Sequence, residues 1–375
     1  MERTCNNIAI LTFQSSNNYG ALLQCYALSE TLIKMGKEVS IINLNKEYIK
    51  DLEDLSFLPK NKLLIKKYIN NKFFQNEFDV FREKYLKDKF TKKINSIKEL
   101  DGFADKFDAV LVGSDQVWRY AYTKKTLKSF FLNFVSENTK KISYAASFGF
   151  DFFEGDKSLS LEIKYLLKRF NAVSVREDKG IEICKNEFDV DAIHVLDPVF
   201  LKSSLDYKKL INKNEKIINQ PYLAYYLLNP DSFRKKIINN VKKDKGIQIE
   251  KNIYTNEKFS FRKPSLNINK FKFKSFSSWL SLIKNAEFMI TDSFHGLAFA
   301  IIFNKQFICI ANKSRGAARM ESILKLLNLT DRLVYEGQEI DNFLKQIKKI
   351  NYLEANEKLE KAKVKSLMFL ESSLS

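Results

Sequence analysis

The chain has 375 residues, 45% hydrophobic and 13% aromatic, which is material for about two packed domains and excludes a globally disordered chain. Its 63 Lys and Arg against 45 Asp and Glu give a net charge of +18, and its four cysteines lie far apart with no C-x-x-C pair, which excludes a disulfide frame or a cysteine-rich zinc site. No apolar run approaches the ~20 residues of a membrane-spanning helix, and the first residues lack the basic-then-apolar order of a secretory signal, so a cytoplasmic protein is expected.

By successive hundreds of residues the charge is +5, −2, +11 and +4, so the excess sits mainly between residues 201 and 300. A basic balance raises nucleic acid or an anionic membrane as a partner. No nucleic-acid motif accompanies it, and Lys, Asn, Ile, Phe and Tyr are all abundant, so a compositional bias accounts for it and no nucleic-acid partner is expected.

The chain opens with a β-α-β pattern. Asn7 to Phe13 is a continuous apolar run typical of a buried parallel strand, Gln14 to Gly20 is a polar turn, and Ala21 to Met35 has helical spacing that stops at Gly36. Val39 to Leu44 is the next strand, completing a right-handed crossover. Residues 46 to 105 are charged and largely helical in pattern, an excursion outside the sheet. Strands follow at Asp108 to Val112, Lys141 to Phe148, Ala172 to Val175 and Ile193 to Leu196, with a helix over Leu161 to Phe170. A second set runs from Tyr222: strands at Tyr222 to Leu228, Ile247 to Tyr254, Glu287 to Thr291 and Phe307 to Ala311, and helices at Phe233 to Lys243, Phe276 to Lys284 and Gly296 to Phe303. Two such sets, divided as residues 1–205 and 206–375, predict an α/β protein of two doubly wound domains facing across a cleft, the second ending in a helical tail from about Ile340.

Ligands in such sheets bind beyond the carboxyl ends of the strands. Three loops stand there with unusual composition. Asn17-Asn18-Tyr19-Gly20 precedes a helix whose free N–H groups suit an anion or a hydroxyl. Gly113-Ser114-Asp115-Gln116 offers a hydroxyl, a carboxylate and an amide in succession, for hydroxyl recognition or for a capping turn. Thr291-Asp292-Ser293-Phe294-His295-Gly296 opens an apolar helix, with Ser293 or Asp292 as its cap. His295, in a helix's first turn, suits a proton donor to an anionic substrate, whereas His194, in the apolar AIHVL, reads as a satisfied core residue. Arg176, Arg315 and Arg319 are the cations placed after strands, fitted to carboxylate or phosphate or to structural ion pairs. There is no G-x-x-x-x-G-K-[ST], G-x-G-x-x-G or nucleophile elbow, and no metal cluster.

Taken in order, NYGALLQ (18–24), GSDQVW (113–118), SYAASFG (143–149), VRE (175–177), LDPVFL (196–201) and TDSFHGLAFAIIFNKQFI (291–308) resemble the polysaccharide pyruvyl transferase family. The resemblance implies two Rossmann-like domains in a GT-B-like arrangement. It implies transfer of the pyruvyl unit of phosphoenolpyruvate to a saccharide as a ketal, in cell-surface polysaccharide synthesis. Phosphoenolpyruvate would be a donor substrate, with no cofactor and no metal, and the acceptor a sugar or a lipid-linked saccharide. Carried over, Arg176 and His295 grip the donor, with Arg315 or Arg319 as a further cation. On that reading His295 is the acid, Asp115 the base for the acceptor, and Asn18, Tyr19 and Gly20 line the acceptor side with Ser114 and Gln116 beside Asp115. Many members carry R-L-H where this chain has Ser293-Phe294-His295, one phosphate contact fewer.

Two other functions fit the same residues: a GT-B-type glycosyltransferase using a nucleotide sugar, and a binding protein for an anionic polymer or membrane surface. The last rests on Lys258 to Phe276, where Lys270, Lys272 and Lys274 alternate with Phe271 and Phe273 as in a strand with lysines on one face, or in a lysine-guarded edge strand. Such a face would hold the enzyme peripherally at an anionic inner membrane.

Overall fold

The computed structural model describes residues 5–45, 77–254, 273–311 and 316–375. The first half is built on seven parallel strands: β1 (Asn7–Leu11), β2 (Glu38–Leu44), β3 (Phe90–Ile94), β4 (Ala109–Val112), β5 (Lys140–Ala146), β6 (Ala172–Val175) and β7 (Ile193–His194), in the order 3-2-1-4-5-6-7. The second is built on five, β8 (Tyr222–Tyr226), β9 (Ile249–Asn252), β10 (Phe288–Thr291), β11 (Gln306–Ile310) and β12 (Leu333–Val334), in the order 12-11-10-8-9. All pairings between these strands are parallel. β4 and β10 are buried along their whole length, as parallel strands covered by helices on both faces must be.

Among the described residues, the helices of seven residues or more are α1 (Tyr19–Lys34), α2 (Glu77–Tyr85), α3 (Lys157–Leu167), α4 (Asp178–Phe188), α5 (Ser232–Lys245), α6 (Phe276–Lys284), α7 (Phe294–Ile302), α8 (Ala318–Leu326), α9 (Ile340–Gln346) and α10 (Tyr352–Ser373). Every residue of α7 is buried, which fits its apolar circumference and a place at the centre of the molecule. Strand order reverses at β1/β4 in one sheet and at β8/β10 in the other. The three loops singled out in the sequence follow β1, β4 and β10, so all three lie at these switch points.

Two expectations about the architecture are corrected. The stretch read as an excursion outside the sheet contributes β3, the edge strand beside β2. Its sequence FTKKI puts Lys92 and Lys93 in solvent, a lysine-guarded edge without the apolar pattern of a strand. Residues 46–76 of that stretch lie outside the described residues. The tail, expected with the second half, crosses back to the first. Ala355 and Leu359 of α10 pack in the core under β8–β12, while Phe369 and Leu370 pack with Ile8, Ile10 and Leu28. The Leu196 N–H donates to Ser366 Oγ at 2.9 Å, and Cys5 N–H to Leu374 O at 3.1 Å.

The halves also meet through aromatic packing. Tyr19 at the start of α1 stacks on Trp279 of α6, with centroids 5.0 Å apart and planes 11° apart, and Phe81 of α2 stacks on Phe276 at 4.0 Å. The four cysteines are free and buried.

Candidate active site

The site forms where the carboxyl ends of β4, β6 and β7 face the start of α7. Asp197 is its hub. It follows β7, and its Oδ1 accepts from Val199 N at 3.0 Å, capping the turn Pro198–Leu201. Its Oδ2 accepts from Ser114 Oγ at 2.8 Å and from Arg176 Nη1 at 2.9 Å. His295 Nε2 stands 3.5 Å from the same oxygen without hydrogen-bond geometry. The Asp197 side chain is wholly buried. Burial alone would raise its pKa, but the His295 and Arg176 charges and the Val199 N–H outweigh it and hold the carboxyl well below the usual range.

Arg176 lies among three carboxylates. Besides Asp197, Asp115 is 3.8 Å from Nη2 and Glu177 is 3.9 Å from Nε. Burial opposes its charge, but Asp197, Asp115 and Glu177 hold its pKa above the ordinary value. The Phe294 ring covers the guanidinium at 4.4 Å. Arg176 Nε and Nη2 are buried and make no hydrogen bond among the described residues. Such donors are costly unless something supplies an acceptor.

Glu177 works on the neighbouring loop. Its Oε1 accepts from Ser147 Oγ at 2.8 Å, Phe148 N at 3.0 Å and Gly149 N at 3.3 Å. Gly149 has φ +83°, and a Cβ there would lie 2.4 Å from Gln116 Oε1. Asp115 also has a positive φ, 82°, unusual for a non-glycine residue and typical of strain held at a functional site. Its Oδ1 accepts from Gln116 N, and 15% of its side chain is exposed, which makes it the rim of the cluster.

From the second half, Ser293 caps α7 by accepting from Gly296 N, and His295 follows in the first turn. Asp292, the other candidate cap, instead accepts from Leu228 N, Asn229 N and Arg234 Nε and pins the loop after β8. The His295 ring lies against Gly20 of α1: a Cβ at Gly20 would fall 2.0 Å from Nδ1. Only glycine admits the imidazole there, so Gly20→Ala is expected to cost about 1–3 kcal/mol by overpacking and to displace His295. Urea unfolding checks the first effect and loss of turnover the second.

The remaining sequence candidates divide. Arg319 on α8 is buried and close enough to Arg176, Glu177 and Asp115 to feel their charges; burial first and then Arg176 lower its pKa to about 10. Gln116 Oε1 accepts from Arg119 Nη1 at 3.2 Å. Asn18 caps α1, accepting from Ala21 N. Tyr19 is corrected: it is 1% exposed, its ring packs on Trp279 and its hydroxyl donates to Lys274 O at 2.5 Å, so it is an interdomain core residue with no face for a sugar. Arg315 lies outside the described residues, as do Lys270 and Lys272. His194 is half-buried on the edge strand β7, with Nε2 3.0 Å from Arg176 O and 3.3 Å from Ser322 Oγ of α8. It joins the two halves.

Two participants escaped the sequence reading. Asp197 was visible only as part of LDPVFL, where the aspartate before a proline reads as a turn. Arg82 of α2 donates to Gln14 O, Ser15 O, Ser16 O and Asn17 Oδ1, at 2.7–3.1 Å, and so fixes the loop that leads into Gly20. No local signal marks it. Among the described residues no group of three His, Cys, Asp or Glu side chains could hold a metal ion.

Two parallel α/β sheets whose carboxyl edges converge on one polar cluster define the GT-B-like class. Solved structures agree in fold: a putative UDP-N-acetylglucosamine 2-epimerase from Listeria monocytogenes (TM-score 0.53, 9% identity, covering 96% of this chain and 91% of that one), the S. aureus MnaA–UDP co-structure (0.51, 10%, 91% and 86%) and the UDP-GlcNAc 2-epimerase of Methanocaldococcus jannaschii (0.51, 15%, 92% and 94%). A search of curated proteins finds no match. The polysaccharide pyruvyl transferase family model matches residues 18–314, and the chain belongs to that family of transferases. No helix among the described residues is long and apolar enough to cross a membrane.

Proposed function

We propose that the protein transfers the pyruvyl unit of phosphoenolpyruvate to a saccharide as a cyclic ketal, releasing inorganic phosphate. The observation that carries this reading is Arg176, a buried guanidinium with two nitrogens lacking acceptors, set beside His295 at the start of α7. A small anion would complete both, and membership of a pyruvyl transferase family supports an enolpyruvyl phosphate as that anion.

Arg176 and Arg319 would hold the donor's carboxylate and phosphate. His295 would give a proton to the methylene carbon, leaving its neighbour electron-poor and open to a saccharide hydroxyl. Asp115, at the rim, would take that hydroxyl's proton. Loss of phosphate with its C–O bond and attack by a second hydroxyl close the ketal. Of the two hydroxyl protons, one replaces the proton given to carbon and one leaves with phosphate.

The test is phosphate release from phosphoenolpyruvate over a panel of saccharide acceptors, with donor binding followed by thermal shift. Phosphoenolpyruvate at a hundredfold its Kd is expected to stabilise the protein by about 2.7 kcal/mol, with phosphate appearing only when an acceptor is present. Stabilisation by UDP and none by phosphoenolpyruvate would replace this reading with a nucleotide-sugar reaction.

A further inference from the structure

We propose that Tyr122 and Phe152, on the segments after β4 and β5 and joined through Arg119 and Phe150, form the platform on which the sugar rings of the acceptor lie. Phe150 and Phe152 stack on one another, with centroids 5.2 Å and planes 12° apart. The Arg119 guanidinium carbon lies 4.2 Å from the Phe150 ring centroid and 4.4 Å from that of Tyr122, and so joins the two rings. Packed side chains of this kind are normally covered, yet Phe152 is 55% exposed and Tyr122 39%. Phe150 is covered by Phe152 and Arg119, and the aromatic surfaces of Phe152 and Tyr122 left open to water around it mark a binding surface more than a core defect.

Three observations give the occupant. The platform is continuous with the site: Arg119 is hydrogen-bonded to Gln116, and the residue before Gln116 is Asp115, 3.8 Å from Arg176. It also faces the second half. A Cβ on Gly316 would meet Gly149 O at 1.7 Å and the Phe150 ring at 3.2 Å, and Tyr122 is among the groups that shift the Arg319 pKa. An acceptor lying on these rings would therefore bring a hydroxyl toward Asp115. Third, flat rings with a phenolic edge suit a pyranose, with its apolar face and polar rim. The surface takes over the stacking role that the buried Tyr19 cannot fill.

The proposal rests on the saccharide-acceptor reading but not on the donor. The probes are methyl β-D-galactopyranoside, methyl β-D-glucopyranoside and methyl β-D-mannopyranoside, followed by saturation-transfer NMR, with phosphoenolpyruvate binding measured in parallel by thermal shift. At least one glycoside is expected to receive saturation on its ring protons. Tyr122→Ala/Phe152→Ala is expected to weaken that binding about tenfold while leaving the phosphoenolpyruvate shift unchanged. No saturation with any of the three, or saturation undiminished in the variant, overturns the platform. So does wild-type binding to phosphatidylglycerol vesicles that the variant loses, or a wild-type dimer that the variant breaks. Glycoside binding lost in the variant, with no phosphoenolpyruvate shift even in the wild type, would sustain the platform and sink the donor reading instead.

Discussion

Replacing Asp197 with asparagine is expected to destabilise the fold by about 3–5 kcal/mol, the cost of taking from the buried Arg176 guanidinium the carboxylate charge that hydrogen-bonds it. In the native protein one carboxylate oxygen accepts from Ser114 Oγ and Arg176 Nη1 and faces His295, and the other caps the Pro198–Leu201 turn. Asparagine keeps a cap acceptor but removes the charge that balances Arg176. Urea denaturation should show a lower midpoint with an unchanged slope. The pH dependence gives an independent sign. The folded carboxyl titrates well below the usual aspartate range, so its contribution is complete above the unfolded value of about 3.9 and is lost as pH falls through the lower, folded one. Wild-type stability should therefore drop below about pH 4, and the variant should lose much of that acid slope. Turnover should also fall about 10²-fold, because that oxygen orients Arg176 by a hydrogen bond and faces His295. A variant with wild-type stability and an unaltered acid limb would show that Asp197 is not the hub.

His295→Gln should behave oppositely, sparing the fold and removing the chemistry. Loss of a general acid lowers turnover about 10²–10⁴-fold, and phosphoenolpyruvate binding should survive because Arg176 and Arg319 remain. The smaller, flexible side chain also relieves the close contact of the imidazole with Gly20. His194→Gln is the control: that ring bridges Arg176 O and Ser322 Oγ at the edge of the first sheet and touches no reacting atom on this account. Its variant should retain turnover within a few-fold and lose about 1 kcal/mol of stability. Equal losses from the two substitutions would remove the proton-donor role from His295. Single-turnover phosphate release separates the outcomes.

The fold was readable where residue patterns answer to local physics. Continuous apolar runs gave β1, β4 and β10, and helical spacing gave α1 and placed α6 at its observed bounds, Phe276–Lys284. β3 was not readable, because an edge strand carries lysines where a buried strand carries apolar residues. The crossing of α10 back to the first sheet is a tertiary choice, fixed by Leu370 and Leu374 meeting Ile8 and Leu28, and nothing in the helix's own spacing encodes it.

The site follows the same division. His295, Arg176, Ser114 and Asp115 were legible as polar residues just beyond strand ends, and the structure brings them within contact of one carboxylate or one guanidinium. Asp197, the carboxylate they share, was hidden because its role depends on three other segments arriving around it. Tyr19 was misread for a related reason: a tyrosine in a polar loop gives no sign that Trp279, 260 residues later, will cover its ring. Gly20 was singled out for backbone freedom, whereas its constraint is the imidazole lying against it. The family's motif and this chain's departure from it, Ser293-Phe294-His295, take on a physical meaning together: Phe294, at the place of the family's leucine, covers the face of Arg176, and Ser293, at the place of the basic residue, caps α7 instead.

The most direct test is the structure of the protein crystallised with phosphoenolpyruvate. Donor density is expected at the start of α7, with one anionic group accepting from Arg176 Nε or Nη2 and the methylene carbon turned to His295. Density elsewhere, or a donor that leaves both side chains untouched, would contradict it.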